Sequence, residues 1–239
     1  MTPVLATENL NKRFGGVIAT DNVQVTIGEG EIRCLIGPNG AGKSTLFALL
    51  CGMYRPDSGR ITLKGHDVTR MPAFRRVRLG LGLTFQTNRA FHNLTVRQNL
   101  DAILEKGALE RDSEARRRYE VAMGTFDLMA QPDLPAKELA HHKLQWLEIA
   151  MVLAGGPSIV LLDEPTAGMS PDETRQTAAV IRRLNDAGLT IVVVEHDIAF
   201  VKEVSSSVTV LHQGRVFAEG PVDEITRHED VRRIYLGRA

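Results

Sequence analysis

Residues Ile32–Thr45 read "IRCLIGPNGAGKST". An apolar run of strand character, Ile32–Ile36, stops at a turn carrying Gly37, Gly40 and Gly42. The turn opens into "KSTLFALLC", Lys43–Cys51, a stretch of good helix formers that Gly52 ends. G-x-x-x-x-G-K-[ST] between a strand and a helix is the phosphate-binding loop in its required context. Glycine lets successive backbone amides curl around an anion without a Cβ in the way, and the helix start adds its positive end. The loop Gly37, Pro38, Asn39, Gly40, Ala41, Gly42, Lys43, Ser44 and Thr45 is therefore expected to hold a nucleoside triphosphate. Lys43 would reach the β- and γ-phosphates, and the Ser44 hydroxyl would ligate Mg²⁺.

Four further features sit at the expected ends of strands or before turns. "SIVLLDEP", Ser158–Pro165, is an apolar strand closing on two carboxylates. Asp163 at the strand end suits the magnesium shell. Neighbours on an extended strand face opposite ways, but Glu164, past the strand end, can turn toward the γ-phosphate and act as general base. Gln86, in "LTFQ", can touch Mg²⁺ and the attacking water through its amide, or be a surface residue. His196, in "VVVEHD", can donate to the γ-phosphate, or start a helix. Phe14, in "NKRFGG", can stack on a base, or pack in the core.

The rest of the chain frames these motifs. Its 239 residues, 43% apolar, suffice for one large core or two smaller lobes. Zero formal net charge gives no global field favouring nucleic acid or an anionic membrane, and no nucleic-acid partner is expected. No apolar stretch approaches a membrane span, and "MTPVLATENLNKRF" lacks a signal-peptide core, so a soluble intracellular protein is expected. Cys34, in the apolar strand, and Cys51, on the helix, read as buried thiols. "VLATENL", "VQVTI", "EIRCLIG" and "RITLKG" have strand patterns. Strand signals vanish from about Phe91 to Ala154, where "LTVRQNLDAIL" and "DSEARRRYEVAMGTFDLM" have helical spacing. Strand and helix then alternate through "SIVLLD", "TIVVVE" and "SVTVLHQG". The expected fold is α/β, one ATPase domain over 1–239. Its core spans 1–88 and 155–220 with an antiparallel β portion, an inserted helical subdomain spans 89–154, and a helical tail spans 221–239. In "SPDE", Ser170 is placed to cap, Pro171 to take the first helical position and Glu173 to close a capping box.

Taken in order, Phe14, "GPNGAGKST", "TFQ", "LLDEP" and "VEHD" resemble the ATP-binding subunits of ABC transporters across nearly the whole chain. The resemblance implies a P-loop NTPase (RecA-like) lobe with an inserted α-helical subdomain, and a head-to-tail dimer with two ATP molecules at the interface. By the same resemblance Phe14 stacks on adenine, Ser44, Gln86 and Asp163 serve Mg²⁺, Glu164 activates water, and Gln86 and His196 sense the γ-phosphate. It also implies integral-membrane permease subunits meeting the helical lobe and, indirectly, a periplasmic solute-binding protein. The chain would then lie peripherally on the cytoplasmic face of the inner membrane and be soluble when isolated. "NLNKRFGG", "LDEPTAGMSPDE" and "IYLGRA" are most similar to importers of branched-chain amino acids, urea and short amides. "QWLEIAM" and "YLGR" favour the urea-type branch. A DNA-repair or translation ATPase of the same family would carry a coiled-coil insertion or a second cassette, and neither is present.

One stretch departs from the pattern. "LAHHK", Leu139–Lys143, stands where the family has Leu-Ser-Gly-Gly-Gln, the turn and helix start that meet the γ-phosphate held by the other chain. Ala140 has no hydroxyl to cap the helix, and loss of such a cap costs about 0.5–2 kcal/mol. His142 is expected to place a side chain where backbone should approach phosphate. Lys143 offers compensating charge on a flexible stem. With one side of the site intact and the other altered, the expectation is a heterodimer with a second ATP-binding subunit. A non-hydrolysing regulatory module is the alternative.

Overall fold

The computed structural model describes residues 3–84, 88–104, 109 and 112–236. Along the chain run β1 (Pro3–Phe14), β2 (Val17–Gly28), β3 (Ile32–Ile36), α1 (Lys43–Cys51), β4 (Ser58–Leu63), β5 (His66–Asp67), α2 (Ala73–Arg78) and β6 (Leu81–Leu83). A helical stretch follows, with α3 (Val96–Leu104), α4 (Ser113–Phe126) and α5 (His141–Ala154). Alternation resumes with β7 (Ile159–Asp163), α6 (Pro171–Asp186), β8 (Thr190–Val194), α7 (Ile198–Val204), β9 (Ser207–His212) and β10 (Arg215–Pro221). The chain then runs into α8 (Val222–Arg227) and α9 (Glu229–Leu236).

The strands form two sheets. One is antiparallel in the order β2-β1-β4-β5, and the other runs β10-β9-β3-β8-β7-β6. In the second sheet only the β9–β10 pair is antiparallel. Its central strands are apolar throughout, as a sheet covered on both faces requires. Alternation then sorts them into two cores. Cys34, Ile36, Val160, Leu162, Ile191 and Val193 face one core, shared with α5, α6 and α7. Leu35, Ile159, Leu161, Val192 and Val194 face the other, which takes the apolar side of α1 and the inner face of the antiparallel sheet. Helix α1 is thereby held between the two sheets. Both cysteines are buried in these cores, and burial pushes the Cys34 thiol up to about 12.

Two elements differ in extent from the sequence reading. β1 continues through "NKRF" to Phe14, because irregularities between Thr7 and Leu10 and between Leu10 and Lys12 reset its register against β2. Helix α5 is shared rather than inserted. Its first turns stack Trp146 on Phe126 of α4 at 5.5 Å, while Leu147, Ala150 and Leu153 join the main core. Among the described residues, no helix is long and apolar enough to cross a membrane.

Candidate active site

Adjacent parallel strands β3, β8 and β7 present their carboxyl ends at one sheet edge, where ligands of open α/β sheets bind. β3 delivers the glycine loop. A Cβ on Gly37 would come 2.3 Å from the Leu211 carbonyl oxygen, and one on Gly42 2.3 Å from that of Ala19, so β9 and β2 leave room for glycine alone. Gly42 has φ +102° and precedes α1 with no side chain capping the first amides, which leaves them for an anion. The Lys43 ammonium donates to the carbonyls of Gly37 at 2.6 Å and Pro38 at 3.1 Å. Burial lowers its pKa, and the charges of Glu164 and Asp163 oppose that shift. Ser44 is exposed and Thr45 half-buried on the first turn of α1.

β7 delivers the acids. Asp163, its last residue, is pushed up to about 6 by burial first, then by the like charges of Glu164 and Glu195, with Lys43 opposing. Glu164 follows with φ +47°, a left-handed backbone costing a non-glycine residue about 1–3 kcal/mol. Its amide donates to the Val194 carbonyl at 2.9 Å, which fixes the turn. The bend gives Glu164 and Asp163 a common neighbour in Lys43. From β8 comes His196, whose Nδ1 lies 3.7 Å from Glu164 Oε1 and 3.6 Å from Glu195 Oε2. Phe14, at the end of β1, is exposed, with its ring edge-on to Tyr54 at 5.3 Å and the Lys12 ammonium 5.4 Å from its centroid. Gln86 lies outside the described residues.

Sequence reasoning passed over Glu195. It is 1% exposed and hydrogen-bonded to both Thr166 and the His196 amide. An acid ending the apolar strand "TIVVVE" is the same signal that singled out Asp163. Tyr54 was missed because it meets Phe14 only through the fold, whereas Lys12 lies two residues before Phe14 on β1 and was open to a local reading.

The "LAHHK" turn differs from expectation in one respect. Helix α5 does begin at His141 after Ala140, with no side-chain cap. The His142 ring, however, lies against the helix pair and not across the helix start. It packs edge-on to Trp146 at 4.9 Å, and its Nδ1 sits 2.5 Å from Glu173 Oε1, out of line for a good hydrogen bond. One turn on, Trp146 Nε1 donates to Thr177 Oγ1 at 3.0 Å. Residues 142 and 146 thus meet 173 and 177, each pair four apart and on one helix face. Glu173 also accepts from the Ser170 amide and closes the capping box, and its pKa is lowered first by that amide. The exposed ring at this turn is His141, whose Cε1 would lie 3.7 Å from a Cβ on Gly168.

The profile of the family described as "ABC transporter" matches residues 20–167. This chain belongs to that family. A second profile, "Branched-chain amino acid ATP-binding cassette transporter", matches residues 215–239. The chain is 38% identical to the high-affinity branched-chain amino acid transport ATP-binding protein LivG of Salmonella typhimurium, covering 99% of both. It is 32% identical to BraF of Pseudomonas aeruginosa, a protein of the same description, again over 99% of both. A crystal structure of an ABC transporter's ATP-binding cassette in its ADP conformation superposes with a TM-score of 0.87 at 27% identity, covering 100% of both chains. A nucleotide-free cassette gives 0.85 at 26% identity, over 99% of this chain and 100% of that one. The chain is thus an ATP-binding, ATP-hydrolysing cassette of P-loop NTPase fold, similar to branched-chain amino acid transport subunits.

A magnesium ion fits the residues present. Lys43 only partly offsets the mutual repulsion of Asp163, Glu164 and Glu195, and a hard cation beside Asp163 would relieve it. Among the described residues no three His, Cys, Asp or Glu side chains form a cage of their own. Asp163 and the Ser44 hydroxyl would hold such an ion together with substrate phosphates.

Proposed function

We propose that this cassette powers import of branched-chain amino acids, and that hydrolysis occurs where its own glycine loop, Asp163, Glu164 and His196 converge. The observation carrying the reading is the placement of Glu164 and His196 3.7 Å apart on the edge that also carries Lys43. The loop amides and Lys43 bind the β- and γ-phosphates. Ser44 and Asp163 hold Mg²⁺, which when bound neutralises phosphate charge. Glu164 accepts a proton from the water attacking the γ-phosphorus. The bond to the β–γ bridging oxygen breaks, giving ADP and phosphate. His196, exposed beside Glu164, donates to a γ-phosphate oxygen and Phe14 stacks on adenine, while Gln86, outside the described residues, would serve the ion and the attacking water. A regulatory module that does not hydrolyse would have no use for Glu164 bent at a strained backbone position.

Permease docking is supported by a largely apolar groove of about 680 Å³ between the β6 edge and α5, lined by Val77, Leu81, Leu83, Ile103, Met151 and Val152. Docking there places the chain on the cytoplasmic face of the membrane, served from outside by a solute-binding protein. The second ATP-binding subunit is a different chain, because Ala140 offers no hydroxyl and the start of α5 no side-chain cap to a partner's γ-phosphate. Branched-chain amino acids are favoured over urea and short amides because the relatives above are named for them.

Reconstitution tests the whole reading. Proteoliposomes carrying the chain, its genomic partner ATPase and the permeases are given the binding protein and labelled leucine or urea. Leucine uptake should follow ATP hydrolysis. Glu164→Gln should cut turnover at this site by about 100-fold or more, with Mg-ATP binding retained. Urea uptake in place of leucine would correct the solute. Unchanged turnover at this chain's site in Glu164→Gln would remove Glu164 as the base.

A further inference from the structure

Glu195 follows β8 with its carboxylate withdrawn from solvent and no lysine or arginine within ion-pair distance among the described residues; the His196 ring lies 3.6 Å away. A buried carboxylate without a paired cation costs several kcal/mol unless donors compensate it. Here they do, and they come from two segments. Oε1 takes the Thr166 hydroxyl at 2.5 Å and the Thr166 amide at 3.3 Å. Oε2 takes the amides of His196 at 2.9 Å and Asp197 at 3.4 Å. Each oxygen serves one segment. Thr166 lies two residues beyond Glu164, and His196 is the other group on the γ-phosphate side. A residue needed only to finish a strand could be apolar or could face water. We propose that Glu195 is a positioning residue that ties the turn after Glu164 to the turn carrying His196, so that the two groups facing the γ-phosphate keep one mutual geometry through turnover. This rests on the reading of Glu164 and His196 above.

Glutamine is the informative replacement. It has the same shape but one acceptor oxygen, so it can satisfy Thr166 or the His196–Asp197 amides and must turn an NH₂ toward the other set. Thr166→Val removes the shortest bond from the opposite side, in case Glu195→Gln folds poorly. The assay uses the assembled transporter with the partner ATPase's own catalytic carboxylate replaced, so that only this chain's site reports. Glu195→Gln and Thr166→Val should each lower kcat by about 10- to 100-fold, the penalty of a misplaced catalytic group, with KM for ATP within about threefold. The double variant should be no worse than the poorer single one, and Thr166→Ser should recover most of the rate. In the isolated chain, amide exchange should rise in Glu195→Ala, which satisfies neither set, at both 166–168 and 196–198. Turnover equal to wild type overturns the inference, as does a rise in KM matching the fall in kcat, or exchange rising in one segment alone. A wild-type transporter inert in this assay would instead strike down the catalytic reading itself, and exchange would still decide whether Glu195 joins the two turns.

Discussion

The two regions proposed to face phosphate are built on different physics. At the nucleotide edge, every group hangs from the end of a parallel strand. Lys43 is held by two carbonyls, Glu164 by a turn anchored to Val194, and Glu195 by four donors. The signature turn is one helix start, its cap missing at Ala140, its His142 turned toward α6 and its His141 exposed. A sheet edge fixes several groups through a core that cannot shift, so each residue there is constrained many times over. A helix start offers backbone amides whatever the sequence, and side chains add to them one at a time. The first kind of site loses its function with one change, whereas the second can drift.

The largest effect expected from this contrast concerns assembly. A homodimer would place "LAHHK" opposite both glycine loops. Turnover by the lone chain should therefore fall about 100-fold or more below that of the complex with its partner ATPase, the loss typical of one missing transition-state donor. Purified chain, alone and co-purified, assayed for phosphate release at saturating Mg-ATP, decides it. Vigorous turnover by the lone chain would show that backbone amides suffice at this turn. Next in size is Lys43→Ala. Removing a charge-assisted donor from the loop should weaken ATP binding by about 10- to 100-fold. Equilibrium binding of a fluorescent ATP analogue measures it, and unchanged affinity would mean that the loop amides bind without the ammonium.

Asp163 gives a smaller effect of opposite sign on stability. Its carboxyl titrates at about 6 in the fold, above the usual 3.8. Below the unfolded value both states are protonated and nothing is lost. As pH rises from about 4 to about 6 the unfolded chain ionises first, so the native state loses stability, and above the folded value the loss is constant. Asp163→Asn removes that loss and should raise the melting temperature at pH 7 by about 3–6 °C, on the order of 2 kcal/mol. The gain should vanish toward pH 4, and Mg²⁺-dependent hydrolysis should be lost. A lower melting temperature at pH 7 would mean that the carboxylate makes stabilising contacts outweighing its burial. No such cost is expected from a change at Ala140, which is exposed.

The same contrast explains what could be read in the sequence. The meeting of the glycine loop, Asp163 and Glu164 at one sheet edge was legible because each ends or follows an apolar strand. The capping box at Ser170–Glu173 was legible from its own spacing. Glu195 carries the same strand-end signal, but its tie to Thr166 was hidden, since those two turns are brought together only by the sheet. Arg76 was hidden for a related cause. Arg76, in "FRRVR", is 1% exposed and donates to the carbonyls of Leu49 and Leu50 at the end of α1, both at 2.7 Å. Nothing within α2 foretells that acceptor. The position of His142 also depended on a contact made by the fold, with Glu173 and Trp146.

The smallest effect expected is therefore at His142, and it separates two explanations of the altered turn. If the imidazole crowded the start of α5, replacing it by glycine would restore access and raise turnover by the lone chain. The ring instead lies on Trp146 and beside Glu173, where an edge-on aromatic pair is worth about 0.5–1.5 kcal/mol. His142→Gly should accordingly lower the melting temperature by about 2–5 °C, counting the glycine placed in a first turn, and leave lone-chain turnover as low as before. Ala140→Ser should act the other way. A hydroxyl at the cap position can accept from an amide of the first turn and stiffen it, raising the melting temperature by about 1–4 °C. It also supplies the missing donor, so any rescue of the lone chain should appear in this variant. Rescue by His142→Gly with none by Ala140→Ser would place the defect in the ring and not in the cap, and would reverse the assignment of the two residues.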